Sequence, residues 1–275
     1  MRIVVTGSTK GLGLALAREF LAAGDDLLVT SRSPEHVAAA VAALRREFPG
    51  RTIEGQPCDV ADPAAVERLA AAAAERLGGV DIWVNNAGVT SAKTANLTES
   101  DPAELAKIID TNLLGTMLCC RAALLLMGKQ RRGQIFNMDG YGANGMASPG
   151  FAAYGATKRA IPQLSKTLAR EAKGSGVGVH TLSPGMVLTD LLLGDASPRS
   201  KQVFNLLAEQ PSTVARFLAP RIRAATGSGR YIKFLTTPGI AWRFATFWRR
   251  RGRFFDTQGR WVAAPETNPA AENPA

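Results

Sequence analysis

The chain has 275 residues, 46% of them hydrophobic, enough for one α/β domain with a full core and too apolar for a disordered chain. Its net charge of +10 is lopsided: residues 1–195 carry 20 basic and 19 acidic side chains and residues 196–275 carry 13 and 4, so the basic character belongs to the C-terminal part. Cys58, Cys119 and Cys120 follow no metal spacing, and two scattered histidines, His36 and His180, assemble neither a zinc site nor a Ser-His-Asp hydrolase; no uninterrupted apolar run has the length of a membrane span.

Met1 and Arg2 lead straight into an apolar strand, with no leader segment ahead of it, which predicts a cytoplasmic protein. Strand-like runs then alternate with helical patterns. The strand at 3–6 precedes a helix at 13–23, 27–30 precedes 34–48, and a weaker run at 52–57 precedes 63–77. The run at 80–85 leads to a long helix at 102–127, 134–138 leads to 153–173, and 177–182 follows. Alternation of this kind predicts a doubly wound, mainly parallel sheet with helices on both faces and a single domain. Beyond Ser183 the regularity fades. Short helices are expected at 201–209 and 213–223, and an edge strand at 231–235. The domain is placed at 1–260, with 190–260 as a substrate or lid region, and 261–275, rich in Ala, Pro and Asn, as a disordered tail.

The loop Thr6-Gly7-Ser8-Thr9-Lys10-Gly11-Leu12-Gly13 joins the first strand to the first helix. Glycines there let the backbone approach a pyrophosphate, and the helix N-terminus offers N–H groups and a positive dipole end. Gly7, Thr9, Lys10, Gly11, Leu12 and Gly13 are therefore candidate cofactor contacts. The second strand ends Thr30-Ser31-Arg32, where a binder of the unphosphorylated dinucleotide places a carboxylate. Ser31 and Arg32, with Lys10 in reach, favour a 2′-phosphate, and hence NADPH.

These residues belong to a longer pattern. The sequence resembles the short-chain dehydrogenase/reductase family, whose sheet is of the Rossmann type, over at least residues 1–190. Asp59-Val60 matches its adenine contact, and Asn86-Ala87-Gly88, within Asn85-Asn86-Ala87-Gly88, the segment that lines the cofactor. Asn112 matches the asparagine of its long helix, Tyr154-Gly155-Ala156-Thr157-Lys158 its Tyr-x-x-x-Lys, and Pro184-Gly185 with Val187 and Thr189 the loop beside the nicotinamide. The resemblance implies that Tyr154 donates a proton, that Lys158 holds the nicotinamide ribose, and that Asn112 holds a water in the proton relay. Tyr154 and Lys158 stand at i and i+4 of a predicted helix and share a face, so the ammonium is expected to lower the tyrosine pKa.

One element of the family pattern is missing. A serine normally precedes the tyrosine by about thirteen residues and hydrogen-bonds the substrate carbonyl; here the count reaches Tyr141 and the strand match reaches Gly140. Tyr141 and Asp139 are the nearest substitutes and Ser148 a more distant one. Phe136-Asn137-Met138-Asp139-Gly140 also resembles the chlorophyll(ide) b reductase branch, as do stretches at 151–159, 183–192, 214–223 and 249–256. The resemblance implies reduction of the 7-formyl group of a chlorin pigment, a small-molecule substrate, in a cleft lined by Met186, Leu191–Leu193 and the helices after Ser197. It also implies a plastid stromal location if a longer plant-type precursor was trimmed, and a homo-oligomer paired through the helices at 102–127 and 153–173. An NADPH reductase of another bulky carbonyl, such as a 3-oxoacyl thioester or a steroid-like ketone, and a non-catalytic dinucleotide-binding protein are the rival readings. No nucleic-acid motif accompanies the basic end. Aromatics at 240–248 followed by Arg249-Arg250-Arg251-Gly252-Arg253 instead predict contact with an anionic membrane surface.

Overall fold

Strand β1 (Arg2–Thr6) is buried from Ile3 to Thr6, as the central strand of a parallel sheet covered on both faces must be. It pairs on one side with β2 (Asp26–Thr30), which pairs with β3 (Ile53–Gly55). On the other side lie β4 (Ile82–Asn85), β5 (Gly133–Met138), β6 (Val177–Ser183) and, at the edge, β9 (Tyr231–Lys233). All these pairings are parallel, in the order β3-β2-β1-β4-β5-β6-β9. The order reverses between β1 and β4, and the crevice at the C-terminal ends of those strands is where such a fold takes a ligand. The sheet of the computed structural model, which describes residues 1–263, is thus the doubly wound Rossmann-type sheet expected from the alternation.

Each face has its own core. Helices α1 (Gly11–Ala22), α2 (Pro34–Glu47) and α9 (Pro211–Arg223) cover one face around Phe20, Leu44, Phe136 and Leu218. Helices α3 (Pro63–Leu77), α5 (Gly115–Gln130) and α6 (Ala152–Glu171) cover the other around Leu69, Trp83 and Met127. Helix starts are locally encoded: Ser33 accepts from the His36 N–H (3.1 Å) and Asp62 from that of Ala64 (2.9 Å), each ahead of a proline.

The long helix is continuous from Pro102 to Gln130, but it comprises α4 (Pro102–Ile109), a π-helical turn (Asp110–Leu114) and α5. Its length and mean hydropathy of 1.4 would suit a membrane span, the one exception among the described residues to the expectation that nothing would; half of that apolar window is buried inside the domain. Past β6 the structure holds more than the sequence pattern announced. Two-residue strands β7 (Met186–Val187) and β8 (Ala208–Glu209) pair with each other, flanking helices α7 (Asp190–Leu193) and α8 (Pro198–Leu207). Strands of two residues have no periodicity to read. Helix α10 (Thr237–Ala245) follows β9.

These additions form a third small core of Leu188, Phe204, Ala208, Phe254 and Phe255. Of the leucines expected to line a cleft, Leu192 and Leu193 pack against this core and Leu191 is exposed. Trp261 bridges to Phe255, their ring centroids 4.2 Å apart. Positions 264–275 of the expected tail lie outside the described residues. The basic run is not uniformly solvated. Arg250 and Arg253 turn inward to join Arg243 on Glu209, because a buried carboxylate with three arginines in reach holds them there.

Candidate active site

The loop after β1 is shaped by its glycines. Gly7 and Gly11 have φ of +65° and +56°, the left-handed region that favours glycine. A Cβ on Gly7 would stand 3.1 Å from Ala87 Cα, one on Gly11 3.1 Å from the Thr189 methyl, and one on Gly13 only 2.2 Å from the Gly7 carbonyl oxygen. Thr9 and Leu12 are buried. Helix α1 starts at Gly11, two residues before the expected position, with no acidic residue in its first turn and no side-chain cap. Its first N–H groups are therefore free to meet an anion. The concave, Cβ-free loop and the uncapped helix end fit a dinucleotide pyrophosphate.

The rest of the crevice is tied to this loop. The Thr6 hydroxyl accepts from the N–H groups of Asn86 and Ala87, both at 3.0 Å, and the Asn86 amide donates to the carbonyls of Thr6 (2.9 Å) and Gly7 (3.2 Å). Thr6 escaped the sequence reading because a threonine ending a strand carries no signal of its own. Ser31 is half-buried, and Arg32 is exposed with no ion pair among the described residues. Lys10 instead pairs with Asp190 of α7 at 2.7 Å. Both side chains are largely exposed, so the pair contributes little and yields readily. Asp59 accepts from the Ala61 N–H at 3.0 Å, and Val60 is buried against Gly115. Gly185 (φ +71°) turns the chain after Pro184, Val187 is buried in β7, and the Thr189 hydroxyl donates to the Val187 carbonyl at 3.4 Å.

Tyr154 and Lys158 stand one turn apart on α6, the Lys158 Nζ 5.7 Å from the Tyr154 ring centre. The ammonium donates to the Met138 carbonyl at 3.3 Å. A Cβ on Gly88 would meet Asn112 Oδ1 at 3.4 Å and Lys158 Nζ at 3.5 Å, so these three residues converge. The π-helical turn drives Asn112 fully inside. Its amide accepts from the Val89 N–H (2.8 Å) and donates to the Val89 carbonyl (2.9 Å) and the Thr157 hydroxyl (3.3 Å). The Asn112 backbone carbonyl accepts from the Thr116 hydroxyl at 2.8 Å.

The position left without a serine is Gly140. A Cβ there would lie 2.7 Å from the Tyr154 hydroxyl and 3.2 Å from Lys158 Cγ, so residue 140 is the one that faces the phenol. Tyr141 turns elsewhere: its hydroxyl pairs with that of Ser148 at 2.5 Å, and its ring packs on Phe151, which meets Tyr154 edge-on. Asp139 is buried, held by the hydroxyl of Tyr231 from β9, while its Oδ1 has no hydrogen-bond partner. Tyr231 also escaped the sequence reading, since only the fold brings β9 to the end of β5.

The electrostatics correct one expectation. Burial, and then the charge of Asp139, hold the Tyr154 phenol above its ordinary value rather than below it. Burial pushes Lys158 down to about 8, against the opposing charge of Asp139. Burial raises Asp139 to about 6, although the Tyr231 and Ser183 hydroxyls favour its charged form. A raised phenol pKa keeps the proton on Tyr154 at neutral pH, where a proton donor is needed.

Comparison with known proteins adds independent findings. A family model described as short chain dehydrogenase matches residues 1–198. The probable chlorophyll(ide) b reductase NYC1, chloroplastic, of Oryza sativa subsp. japonica is 45% identical over 97% of this chain and 56% of its own length. The chlorophyll(ide) b reductase NOL, chloroplastic, of Arabidopsis thaliana is 47% identical over 85% of this chain and 70% of its own. The chain thus spans little more than half the length of the first of these relatives. Among solved structures, a short chain dehydrogenase from Burkholderia cenocepacia J2315 in complex with NADP superposes with a TM-score of 0.72 at 28% identity, covering 84% of this chain and 96% of that one. A closed form of serine dehydrogenase complexed with NADP+ gives 0.73 at 25%, covering 85% and 94%.

Proposed function

This chain belongs to the short-chain dehydrogenase family of oxidoreductases, and from that premise we propose that it is an NADPH-dependent carbonyl reductase acting on the 7-formyl group of chlorophyll(ide) b. The observation that carries the chemistry is the convergence of Lys158 and Asn112 beside the Cβ-free Gly88, with Tyr154 one turn before Lys158 on the same helix. The names of the relatives quoted above support the substrate, and the two NADP complexes support the cofactor.

In this reading Gly7, Thr9, Gly11, Leu12 and Gly13 hold the pyrophosphate against the α1 N-terminus. Lys10, Ser31 and Arg32 hold the 2′-phosphate, Lys10 leaving Asp190 to do so. Asp59 and Val60 flank the adenine; Asn86, Ala87, Gly88, Pro184, Gly185, Val187 and Thr189 line the nicotinamide side. The hydride that reaches the carbonyl carbon comes from NADPH when it is bound. The Tyr154 O–H bond breaks as its proton passes to the carbonyl oxygen, leaving an alcohol and a tyrosinate. Lys158 returns a proton to the tyrosinate and regains one through a water on the Asn112 carbonyl. Gly140 gives the carbonyl no hydroxyl; the Tyr141 hydroxyl, now paired with Ser148, would supply that hydrogen bond only by turning from Ser148 toward Tyr154.

Three further readings complete the proposal. Met117, Leu124 and Leu125 of α5 and Leu164 and Leu168 of α6 line an apolar groove, which suits pairing with a second copy of the chain. The chloroplastic names of the relatives support the stromal rather than the cytoplasmic location. The aromatic and basic segment after β9 rests on an anionic membrane, where a chlorin partitions.

Tyr154→Phe tests the proposal. It keeps the ring and removes the acid, so NADPH affinity should hold while turnover falls by roughly 10²–10⁴. Near-native turnover in the variant would remove Tyr154 as the donor.

A further inference from the structure

The segment after β9 carries two features that carbonyl reduction does not use. The first is a dense row of exposed aromatics: Trp242 is 67% exposed, Phe244 54%, Phe247 50% and Trp248 63%. So much apolar surface on one short stretch marks a face that meets an apolar medium.

The second is a cluster of cations with too few anions. Arg243, Arg250 and Arg253 meet the Glu209 carboxylate at 2.9, 2.5 and 2.7 Å. Arg243 and Arg250 also donate to the Leu207 and Leu206 carbonyls, both at 2.8 Å, at the C-terminal end of α8, where a helix favours cations. Those bonds explain where the arginines sit but not how many there are. One carboxylate leaves two of the three guanidinium charges unbalanced. Burial, and then the repulsion of Arg250, hold Arg243 below its ordinary value. Arg249 adds a fourth cation and makes no ion pair among the described residues. Together with Trp242 these four arginines line one open cavity of about 410 Å³.

We propose that this cavity receives the phosphate headgroup of an anionic phospholipid while Trp242, Phe244, Phe247 and Trp248 lie at the headgroup boundary. Guanidinium groups match phosphate oxygens in paired hydrogen bonds, and aromatic rings settle where water meets acyl chains. A lined cavity differs from a diffuse basic surface in its consequences. On a diffuse surface each arginine contributes alike; in a cavity the arginine that completes the site counts for more than its neighbour outside. Arg249 lines the cavity and Arg251, two residues on and also exposed, does not.

The proposal rests on the membrane-surface reading, and one experiment separates the two. Wild type, Arg249→Gln and Arg251→Gln are titrated with phosphatidylcholine vesicles, with and without phosphatidylglycerol, and binding is followed by tryptophan fluorescence and flotation. Neither side chain makes an ion pair or hydrogen bond among the described residues, so both variants should fold. Wild type should bind only the phosphatidylglycerol vesicles. Arg249→Gln should weaken that binding by more than about tenfold, the loss of a charge-assisted phosphate contact, and Arg251→Gln by no more than about fivefold, the loss of one charge near a surface. Equal losses would overturn the headgroup cavity and leave the surface reading standing. Failure of wild type to bind either vesicle would overturn both.

Discussion

At the residue scale, Asp139 shapes the titration of the site without being part of the Tyr-x-x-x-Lys pair. Burial raises Tyr154 and lowers Lys158 to about 8; the Asp139 charge adds to the first shift and opposes the second. The ammonium that resupplies tyrosinate is present below that pH and lost above it, so reduction should decline as pH rises through about 8. Asp139→Asn removes the charge that favours the ammonium, so the alkaline limb of the pH–rate profile should move to lower pH. A limb that stays in place would show that Asp139 does not influence Lys158. Tyr141 is the second residue at issue. If the Tyr141–Ser148 pair serves the substrate carbonyl, Tyr141→Phe should cut turnover by roughly 10²–10³ with little change in NADPH affinity. Unchanged turnover would shift that role to a backbone N–H or to Asp139. Gly140 was legible as one of two positions for the missing serine, and only the 2.7 Å approach of its Cβ position to the Tyr154 hydroxyl separates it from Tyr141.

At the scale of elements, the β-α units were legible because each pairs an apolar strand with a helix opened by a local signal. Ser33-Pro34 and Asp62-Pro63 cap and start α2 and α3, and both were expected from residue 34 and residue 63. The glycine loop was legible for the same reason, since its spacing is set by contacts inside the loop, above all Gly13 against the Gly7 carbonyl. What stayed hidden depends on partners far along the chain. The β7–β8 pair, the Glu209 cluster and the Tyr231–Asp139 contact each join residues with no common local pattern. The junction of β2 and α2 carries its own prediction. Arg32→Asp places a carboxylate where Arg32 now stands exposed, and should weaken NADPH by roughly tenfold or more while improving NADH relative to it. Equal NADPH and NADH affinity ratios in wild type and variant, measured by fluorescence titration, would remove Arg32 from the 2′-phosphate site.

For the whole molecule, the uneven charge read from composition has a structural counterpart. Residues 1–195 are nearly neutral, and the excess cations gather in residues 196–275, partly folded onto Glu209 and partly exposed beside a row of aromatics. That division sets the crevice at the ends of β1 and β4 beside a C-terminal part rich in cations and exposed aromatics. The proposed reduction of the chlorophyll(ide) b formyl group can be measured directly. Incubation of the protein with NADPH and chlorophyll b or chlorophyllide b, followed by absorption spectroscopy, should show the formyl pigment converted to its 7-hydroxymethyl product, with loss of NADPH absorbance and no conversion by Tyr154→Phe. Pigment left unchanged by a protein that binds NADPH and reduces another bulky carbonyl, such as a steroid-like ketone, would contradict it.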